Sequence, residues 1–369
     1  MMSSESARLC FTTLSGKCVA NCATSLHKLI LDDLGVKQIA AVVGGSLGGM
    51  FVLEWAYLGK DYIRSIVPIA TSSRHSAWGI SWGEAQRQSI YADPKYDDGY
   101  YPFDDPPSTG LGAARMSALL TYRSRNSFES RFGRNIPDPA KVQTISGRPR
   151  PSTPSEAHFH IHNDGHVVKR TPLSRKSSGG GSTPQNEALV PTLENTPDPQ
   201  FHGPSSGSLT GGDTLPSSTY FSAQSYLRYQ GTKFVKRFDS NCYIAMTRKL
   251  DTHDVSRNRA ASIAEALAMI EQPTLVLGIE SDGLFTFAEQ EEIAQHIKDA
   301  RLERIDSPEG HDAFLLQFEQ VNRYVLGFLN EVLPDIMGKE GLAPVAAPVE
   351  KIVKSSTFGE AEVEDITAW

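Results

Sequence analysis

The sequence predicts an α/β protein built on a mostly parallel sheet. An apolar, β-branched run at residues 39–43 leads through a glycine-rich turn into residues 50–58, whose apolar positions have helical spacing. A second apolar run at residues 274–279 follows Pro273 and is typical of a buried parallel strand. Alternation of such strands with helical segments is the pattern of an α/β fold.

The turn between the first strand and its helix predicts a nucleophile. Residues 44–49 read GGSLGG and contain a G-x-S-x-G motif centred on Ser46. A strand, this motif and then a helix form the nucleophile elbow of the α/β-hydrolase fold, in which small neighbours let backbone segments approach closely. The helix directs its first N–H groups at an oxyanion formed there. The alternative is a glycine-rich turn with an incidental serine.

Serine needs a base, and the base needs an orienting acid. In this fold the acid precedes the histidine in the chain. Asp282 follows the second apolar run, and His311 follows a strand-like stretch at residues 302–305. Because the carboxyl ends of parallel strands share one edge of the sheet, we expect both residues to meet Ser46 there. Glu280 is an alternative acid, and His311 could instead be an ordinary surface or core histidine.

Several separated motifs resemble the homoserine O-acetyltransferase family. The resemblance runs over residues 26–333, and the tail at 358–366 is similar to tails of fungal members. Members have the α/β-hydrolase fold and include fungal deacetylcephalosporin-C acetyltransferases and serine O-acyltransferases. The usual member has Met where Leu47 stands. The motifs are GGSLGGM at 44–50, LEW at 53–55, LTYRS at 120–124, SDGLF at 281–285 and GHD at 310–312.

The resemblance implies a reaction and roles for the predicted residues. Ser46 attacks the thioester of acetyl-CoA while His311 acts as general base and Asp282 holds the imidazole. The backbone N–H of Leu47 is one oxyanion donor. The acetyl group then passes to the hydroxyl of L-homoserine, a step of methionine biosynthesis. Acetyl-CoA is a co-substrate, and we expect neither a bound cofactor nor a metal.

The resemblance also implies an acceptor pocket. Arg115 and Tyr122 match residues on the side of the substrate carboxylate, and Asp312 matches the residue that receives the ammonium group. Arg115 and Tyr122 are seven positions apart, so one helix face presents both. A guanidinium fork suits a carboxylate. The alternatives are a solvated helix charge for Arg115, packing for Tyr122, and an N-cap of the last helix for Asp312.

Composition divides the chain into segments. Residues 135–217 are rich in Pro, Ser and Gly, which predicts a disordered surface insert. Aromatic residues at helical spacing predict a helical cap that keeps water from the acyl-enzyme. We expect an unassigned segment at 1–24, hydrolase core at 25–79, the cap at 80–134 and 218–271, the insert at 135–217, further core at 272–335 and a C-terminal tail at 336–369.

The first residues differ from the pattern of the fold. Several strands normally precede the elbow strand, and a loop among them supplies the second oxyanion N–H. In this chain residues 26–34 predict a helix with Ser25 as its N-cap, and residues 1–24 show no series of strands. We therefore expect the N-terminal strands of the fold to be missing and one sheet edge to be exposed.

Composition also excludes several functions. The net charge of −7 argues against a nucleic-acid partner. A membrane span is not expected, because no run of roughly 18 apolar residues exists. The four cysteines lack metal-ligand spacing, which favours a reducing cytoplasm. Four histidines are explained better by the composition of the insert than by a metal site: His158, His160, His162 and His166.

We therefore predict an acetyltransferase that binds small molecules. A homodimer that forms through the cap helices is one possible oligomeric state. Three alternatives remain: a fungal O-acyltransferase of serine or of secondary metabolism, a catalytically impaired remnant that acts by association, and an esterase. Residues 251–254, which read DTHD, receive no role, although His253 as a second base is an alternative.

Overall fold

The computed structural model describes residues 19–136, 153–162 and 221–339. The chain divides into two compact units. The larger comprises Met1–Ile145 and Tyr220–Trp369, and the smaller comprises Ser146–Thr219.

Short strands are separated by helices along the described residues. In chain order the elements are α1 (Val19–Asp33), β1 (Val42–Gly45), α2 (Leu47–Ala56), β2 (Ile66–Ile69), α3 (Ala77–Tyr91), a 3₁₀ turn (Asp97–Gly99), α4 (Ser108–Tyr122), α5 (Arg125–Phe132), α6 (Pro154–His162), α7 (Ser222–Phe234), α8 (Ser240–Asp251), α9 (Ile263–Ala268), β3 (Thr274–Gly278), α10 (Phe287–His296), β4 (Ala300–Arg304), a 3₁₀ turn (Gly310–Asp312), α11 (Ala313–Leu316), α12 (Phe318–Val332) and α13 (Pro334–Met337).

The sheet of the larger unit is parallel, as predicted. Its strands lie in the order β1-β2-β3-β4, with Gly45 paired to Ile69 and Gly278 paired to Arg304. Every residue of β2 and β3 is buried. Strand β2 was not predicted from the sequence, because it is only four residues long and contains Pro68. All four strands end at the same edge, which is where the loops that carry the predicted site residues begin.

Both faces of the sheet are covered by apolar side chains. On one face, α2, α9 and α10 pack Leu53 and Ile293 against Val276. On the other, α12 packs Phe328 against Leu277. Full burial of one such side chain contributes about 1.5–3 kcal/mol, so these two layers fix the position of the strand ends.

Helices α3, α4, α7 and α8 form a separate apolar cluster. Its buried members include Ile90, Leu111, Phe234 and Tyr243. Helix α9 lies in the predicted cap range but packs its apolar residues with the sheet instead. The boundaries of the cap at 80–134 and 218–271 stay a prediction.

Two local predictions differ from the structure. Helix α1 begins at Val19 rather than at residue 26, so Ser25 lies inside the helix and is not an N-cap. Helix α6 lies within the range for which we predicted disorder, and Pro154 at its first position is favourable because the fixed φ of proline suits a helix start. The helical geometry also means that His158 and His162, both exposed, share one helix face.

The remaining predictions about the insert and the chain start fall mostly outside the described residues. Within the described part of the sheet, β1 forms an edge, and Val43 is 47% exposed. Residues 1–18, 137–152, 163–220 and 340–369 are not described.

The described ranges contain neither a membrane-spanning helix nor a metal-binding group. No helix there combines the length and apolar composition needed to cross a membrane. Nor does that part of the chain bring three His, Cys, Asp or Glu side chains together in a group that could hold a metal ion.

Candidate active site

The turn at Ser46 has the backbone of a nucleophile elbow. Its φ of 58° and ψ of −125° are costly for a residue with a side chain, and such strain is typical of this turn. The Ser46 N–H donates to the carbonyl of Ile69 at 2.9 Å. The hydroxyl of Thr71 donates to the Ser46 carbonyl at 2.8 Å. These two bonds to the end of β2 and the loop after it hold the strained turn in place.

Close approach explains two glycines of the GGSLGG stretch. A Cβ on Gly44 would lie 2.6 Å from the backbone of Gly48, and one on Gly49 would lie 2.6 Å from Cβ of Thr71. Helix α2 begins directly after the turn, so the N–H of Leu47 is the first of its unpaired amides. This position suits the oxyanion donor that we predict.

Asp282 is held as a carboxylate that faces His311. It is 4% exposed. Its Oδ1 accepts hydrogen bonds from the N–H groups of Leu284 at 2.8 Å and Phe285 at 3.0 Å. Its Oδ2 lies 2.7 Å from Nδ1 of His311. Two backbone donors therefore fix one oxygen, and the histidine occupies the other.

The alternative acid, Glu280, lies elsewhere. Its carboxylate is exposed and pairs with Arg304 at 2.8 Å. A surface ion pair of this kind contributes little to stability. Because the Glu280 carboxylate is paired with Arg304, it does not orient the imidazole of His311. The geometry therefore favours Asp282.

His311 is buried among aromatic rings. Its ring centroid lies 5.3 Å from Phe285, 5.5 Å from Phe314 and 6.3 Å from Tyr122. A Cβ on Gly45 would lie 2.4 Å from the Phe314 ring, so Phe314 touches both the residue before Ser46 and the imidazole. The histidine is thereby placed beside the elbow.

Nδ1 of His311 faces Asp282, so Nε2 is the ring nitrogen that can exchange a proton with substrate. Among the hydrogen bonds of the described residues, none joins Ser46 Oγ to the ring. Catalytic hydrogen bonds often form fully only when substrate is bound.

The charges around His311 favour its protonated form. Burial opposes the positive charge, but the carboxylates of Asp282 and Asp312 outweigh burial and raise the pKa of His311 above its usual value. The residue is therefore a stronger base than a free imidazole.

Gly310, the residue before His311, contacts both the loop that carries Asp282 and the residues that link α4 to α5. Its φ is +75°, and a Cβ there would lie 2.4 Å from the backbone nitrogen of Ser124. Its N–H donates to Ser281 Oγ at 3.0 Å, and this hydroxyl donates to the carbonyl of Ser307 at 2.7 Å. Only glycine fits where these three segments meet.

We expect Gly310→Ala to lower the free energy of unfolding by about 2–5 kcal/mol. The reason is the sum of a left-handed backbone strain and a backbone clash. Urea unfolding measures the change. Gly283→Ala is the matched control, because a Cβ at Gly283 meets nothing within 4 Å. Equal stability of the two variants would contradict the tight junction.

The predicted carboxylate-binding residues lie together. Arg115 is 5% exposed, so it is not the solvated helix charge of the alternative. Its guanidinium lies 5.4 Å from the ring centroid of Tyr122 and 4.9 Å from that of Phe234. Because Tyr122 in turn contacts His311, the helix α4 residues and the histidine share one region.

Asp312 reaches the same region but has a partner that the sequence analysis missed. Nε of Arg123 lies 2.9 Å from its Oδ2. Asp312 stands at the N-cap position of α11, yet its side chain makes no capping hydrogen bond. Arg123 belongs to the LTYRS motif. From the sequence alone, however, a buried arginine at the end of a helix cannot be distinguished from an exposed one.

The contacts of the DTHD stretch at residues 251–254 indicate a structural role. Asp251 pairs with the buried Arg87 at 2.7 Å. The ring of His253 lies 2.9 Å from the carbonyl of Ser72 through Nε2. Burial lowers the pKa of His253 to about 4, so it stays neutral. The first contact attaches the end of α8 to α3, and the second attaches His253, which follows this helix, to the loop after β2. Both favour a structural role over that of a second base.

A cavity of about 500 Å³ lies near the site. It is bounded by residues 74–77 on one side and by α10 on the other, and its lining includes Arg74, Glu289 and Glu292. His75, another lining residue, contacts Phe285, whose ring also contacts His311. None of the sequence-predicted site residues lines this cavity.

A protein-family model matches most of the chain. Residues 4–318 match the model described as alpha/beta hydrolase fold.

Curated relatives match over nearly the whole chain. The homoserine O-acetyltransferase of Emericella nidulans is 66% identical over 93% of this chain and 71% of its own length. That of Ascobolus immersus is 62% identical over 93% of this chain and 69% of its own length.

A solved structure shows the same fold. The homoserine O-acetyltransferase of Bacillus anthracis superposes with a TM-score of 0.58 at 16% identity, covering 84% of this chain. This chain spans 65% of the length of that structure.

Proposed function

Because the chain belongs to the homoserine O-acetyltransferase family, we propose that it transfers an acetyl group from acetyl-CoA to the hydroxyl of L-homoserine through an acetyl-Ser46 intermediate. The observation that carries this proposal is the buried pair of His311 and Asp282 beside the strained turn at Ser46. A serine, a histidine and an acid in this arrangement perform acyl transfer on several folds.

The first half of the reaction forms the ester on the enzyme. Ser46 Oγ attacks the thioester carbonyl as His311 Nε2 takes the hydroxyl proton, and the positive ring is stabilised by Asp282. The oxyanion accepts a hydrogen bond from the N–H of Leu47. The C–S bond then breaks, and His311 returns the proton to the departing thiolate of CoA.

The second half uses the same groups in reverse. The acceptor hydroxyl loses its proton to His311 Nε2 and attacks the acetyl carbonyl. The ester bond to Ser46 breaks, and the serine oxygen recovers the proton. Water is the competing acceptor, so a region enclosed by aromatic side chains favours transfer over hydrolysis.

Acceptor recognition rests on charge. In this proposal Arg115 pairs with the carboxylate of the amino acid, with Tyr122 beside it, and Asp312 attracts its ammonium group. Binding at both ends would hold the side-chain hydroxyl of homoserine toward His311.

The test is a transfer assay with matched acceptors. We expect release of CoA thiol to depend on L-homoserine, with one O-acetylhomoserine formed per thiol released. L-serine, which is one methylene shorter, and water should support slower release. Equal release with and without homoserine would instead favour the esterase alternative.

We expect Arg115→Ala to lower kcat/KM for homoserine by about 10- to 100-fold. Charge-assisted hydrogen bonds of a buried guanidinium contribute about 1.5–3 kcal/mol. Hydrolysis of p-nitrophenyl acetate, an ester without charge at the acyl end, should change little.

Arg125→Ala is the control for Arg115→Ala, because Arg125 is an exposed residue at the start of α5. A parallel loss of both activities in the Arg115 variant would make Arg115 structural and overturn the pocket assignment. The cytoplasmic location and the homodimer through the cap helices stay predictions.

A further inference from the structure

Arg123 is a buried cation forked between two carboxylates. Its side chain is 5% exposed. Nη1 lies 2.5 Å from Glu309 and Nε lies 2.9 Å from Asp312. These acids stand on either side of Gly310 and His311 in the chain, so one guanidinium spans the turn that carries the proposed base.

The surroundings of Arg123 hold this fork in place. Ser124 follows it and donates to the carbonyl of Pro308. Glu309 also accepts a hydrogen bond from Ser127 and pairs with Arg131 at 3.1 Å. Glu309 therefore has several partners from α5.

Asp312 is held differently from Glu309. Its side chain is 10% exposed, and its Oδ2 pairs with Nε of Arg123 at 2.9 Å. Asp312 is also the residue directly after His311, and its negative charge favours protonation of the imidazole. Of the two carboxylates bound by Arg123, Asp312 is therefore the one whose charge affects the protonation of His311.

The charged and titratable groups around His311 come from three elements. Asp282 faces it from the loop after β3, Tyr122 from the end of α4, and Asp312 from its own turn. Two further groups interact with this set: Arg115 with Tyr122, and Tyr226 with Asp312. Asp312 is the carboxylate of this set whose charge is balanced by Arg123.

We propose that Arg123 is a positioning residue that fixes and partly neutralises Asp312 beside His311, and so sets the pH at which the imidazole can act as a base. This inference rests on the proposed function of His311. Without Arg123, the negative charge of Asp312 acts on the ring with less compensation. The protonated ring is then favoured, and a higher pH is needed to produce the neutral base.

The test measures His311 directly. Imidazole resonances are followed by NMR during a pH titration, and the His311 signal is assigned by its loss in His311→Gln. We expect Arg123→Met to raise the titration midpoint of His311 by about 0.5–1 pH unit. The acid limb of kcat/KM for p-nitrophenyl acetate should move in the same direction.

Three further variants separate positioning from simple loss of structure. Arg131→Met removes another cation from Glu309 but leaves the Arg123–Asp312 pair intact, so the His311 midpoint should not move. Arg123→Lys keeps the charge and should restore a midpoint near that of the wild type. Adding Asp312→Asn to Arg123→Met should cancel the upward shift.

The outcomes are distinct. An unchanged midpoint in Arg123→Met, or equal shifts in the Arg123 and Arg131 variants, would overturn the inference. If Arg123→Met does not fold, Arg123→Gln, which is neutral but still forms hydrogen bonds, must show the same upward shift. A midpoint that shifts as expected in a protein that does not acetylate homoserine would refute the proposed function and leave the inference intact.

Discussion

Replacing Ser46 by alanine is expected to lower the rate of acetyl transfer by about 10⁴- to 10⁶-fold. Loss of the serine from a triad has an effect of this size because the other members cannot act without the nucleophile. The measurement is CoA thiol release from acetyl-CoA in the presence of L-homoserine. Thermal unfolding should show that the variant remains folded.

Ser89→Ala provides the matched control for Ser46→Ala. Ser89 is half-buried on α3, and its hydroxyl donates to the carbonyl of Ala85 in its own helix. The same change of side chain there should leave the rate within about two-fold of the wild type. Near-normal transfer by Ser46→Ala would mean that the acetyl group does not pass through this serine.

Asp282→Asn is expected to lower the rate by about 10⁴-fold, because the amide favours the wrong tautomer of His311. It should also move the acid limb of the pH profile to lower pH. The sign follows from the balance at His311: the Asp282 carboxylate raises its pKa, and burial, which remains, lowers it. Rates of ester hydrolysis across pH, with burst kinetics for the acylation step, measure both effects.

Glu280→Gln is the control for Asp282→Asn, because this exposed acid lies two residues away and pairs with Arg304 on the surface. It should change neither the rate nor the acid limb. If Glu280→Gln is the more damaging variant, the orienting acid has been assigned to the wrong residue.

The elbow and the two loops could be predicted from the sequence because their signals are local. A glycine-serine motif after an apolar strand fixes a turn type, and strands of a parallel sheet end at one edge. The pairing of Asp282 with His311 follows from those rules. Strand β2 was missed, since four residues with a proline carry no periodic signal.

Arg123 shows what could not be predicted. Its burial depends on Gly310, which allows the backbone of the histidine turn to contact residues 123 and 124 directly. Arg123 and Glu309 lie 186 positions apart in the chain, and nothing in the sequence pattern indicates that they pair. The same holds for Thr71, which stabilises the strained turn at Ser46 from a different strand end.

In the proposed reaction, the acetyl group passes from acetyl-CoA to homoserine through Ser46. The most direct test incubates the protein with acetyl-CoA alone, measures the intact mass and maps the modified peptide. We expect one added acetyl group on Ser46, which then disappears on addition of L-homoserine as O-acetylhomoserine is formed. Turnover with no acetyl on Ser46, or a label at another residue that homoserine removes, would contradict it.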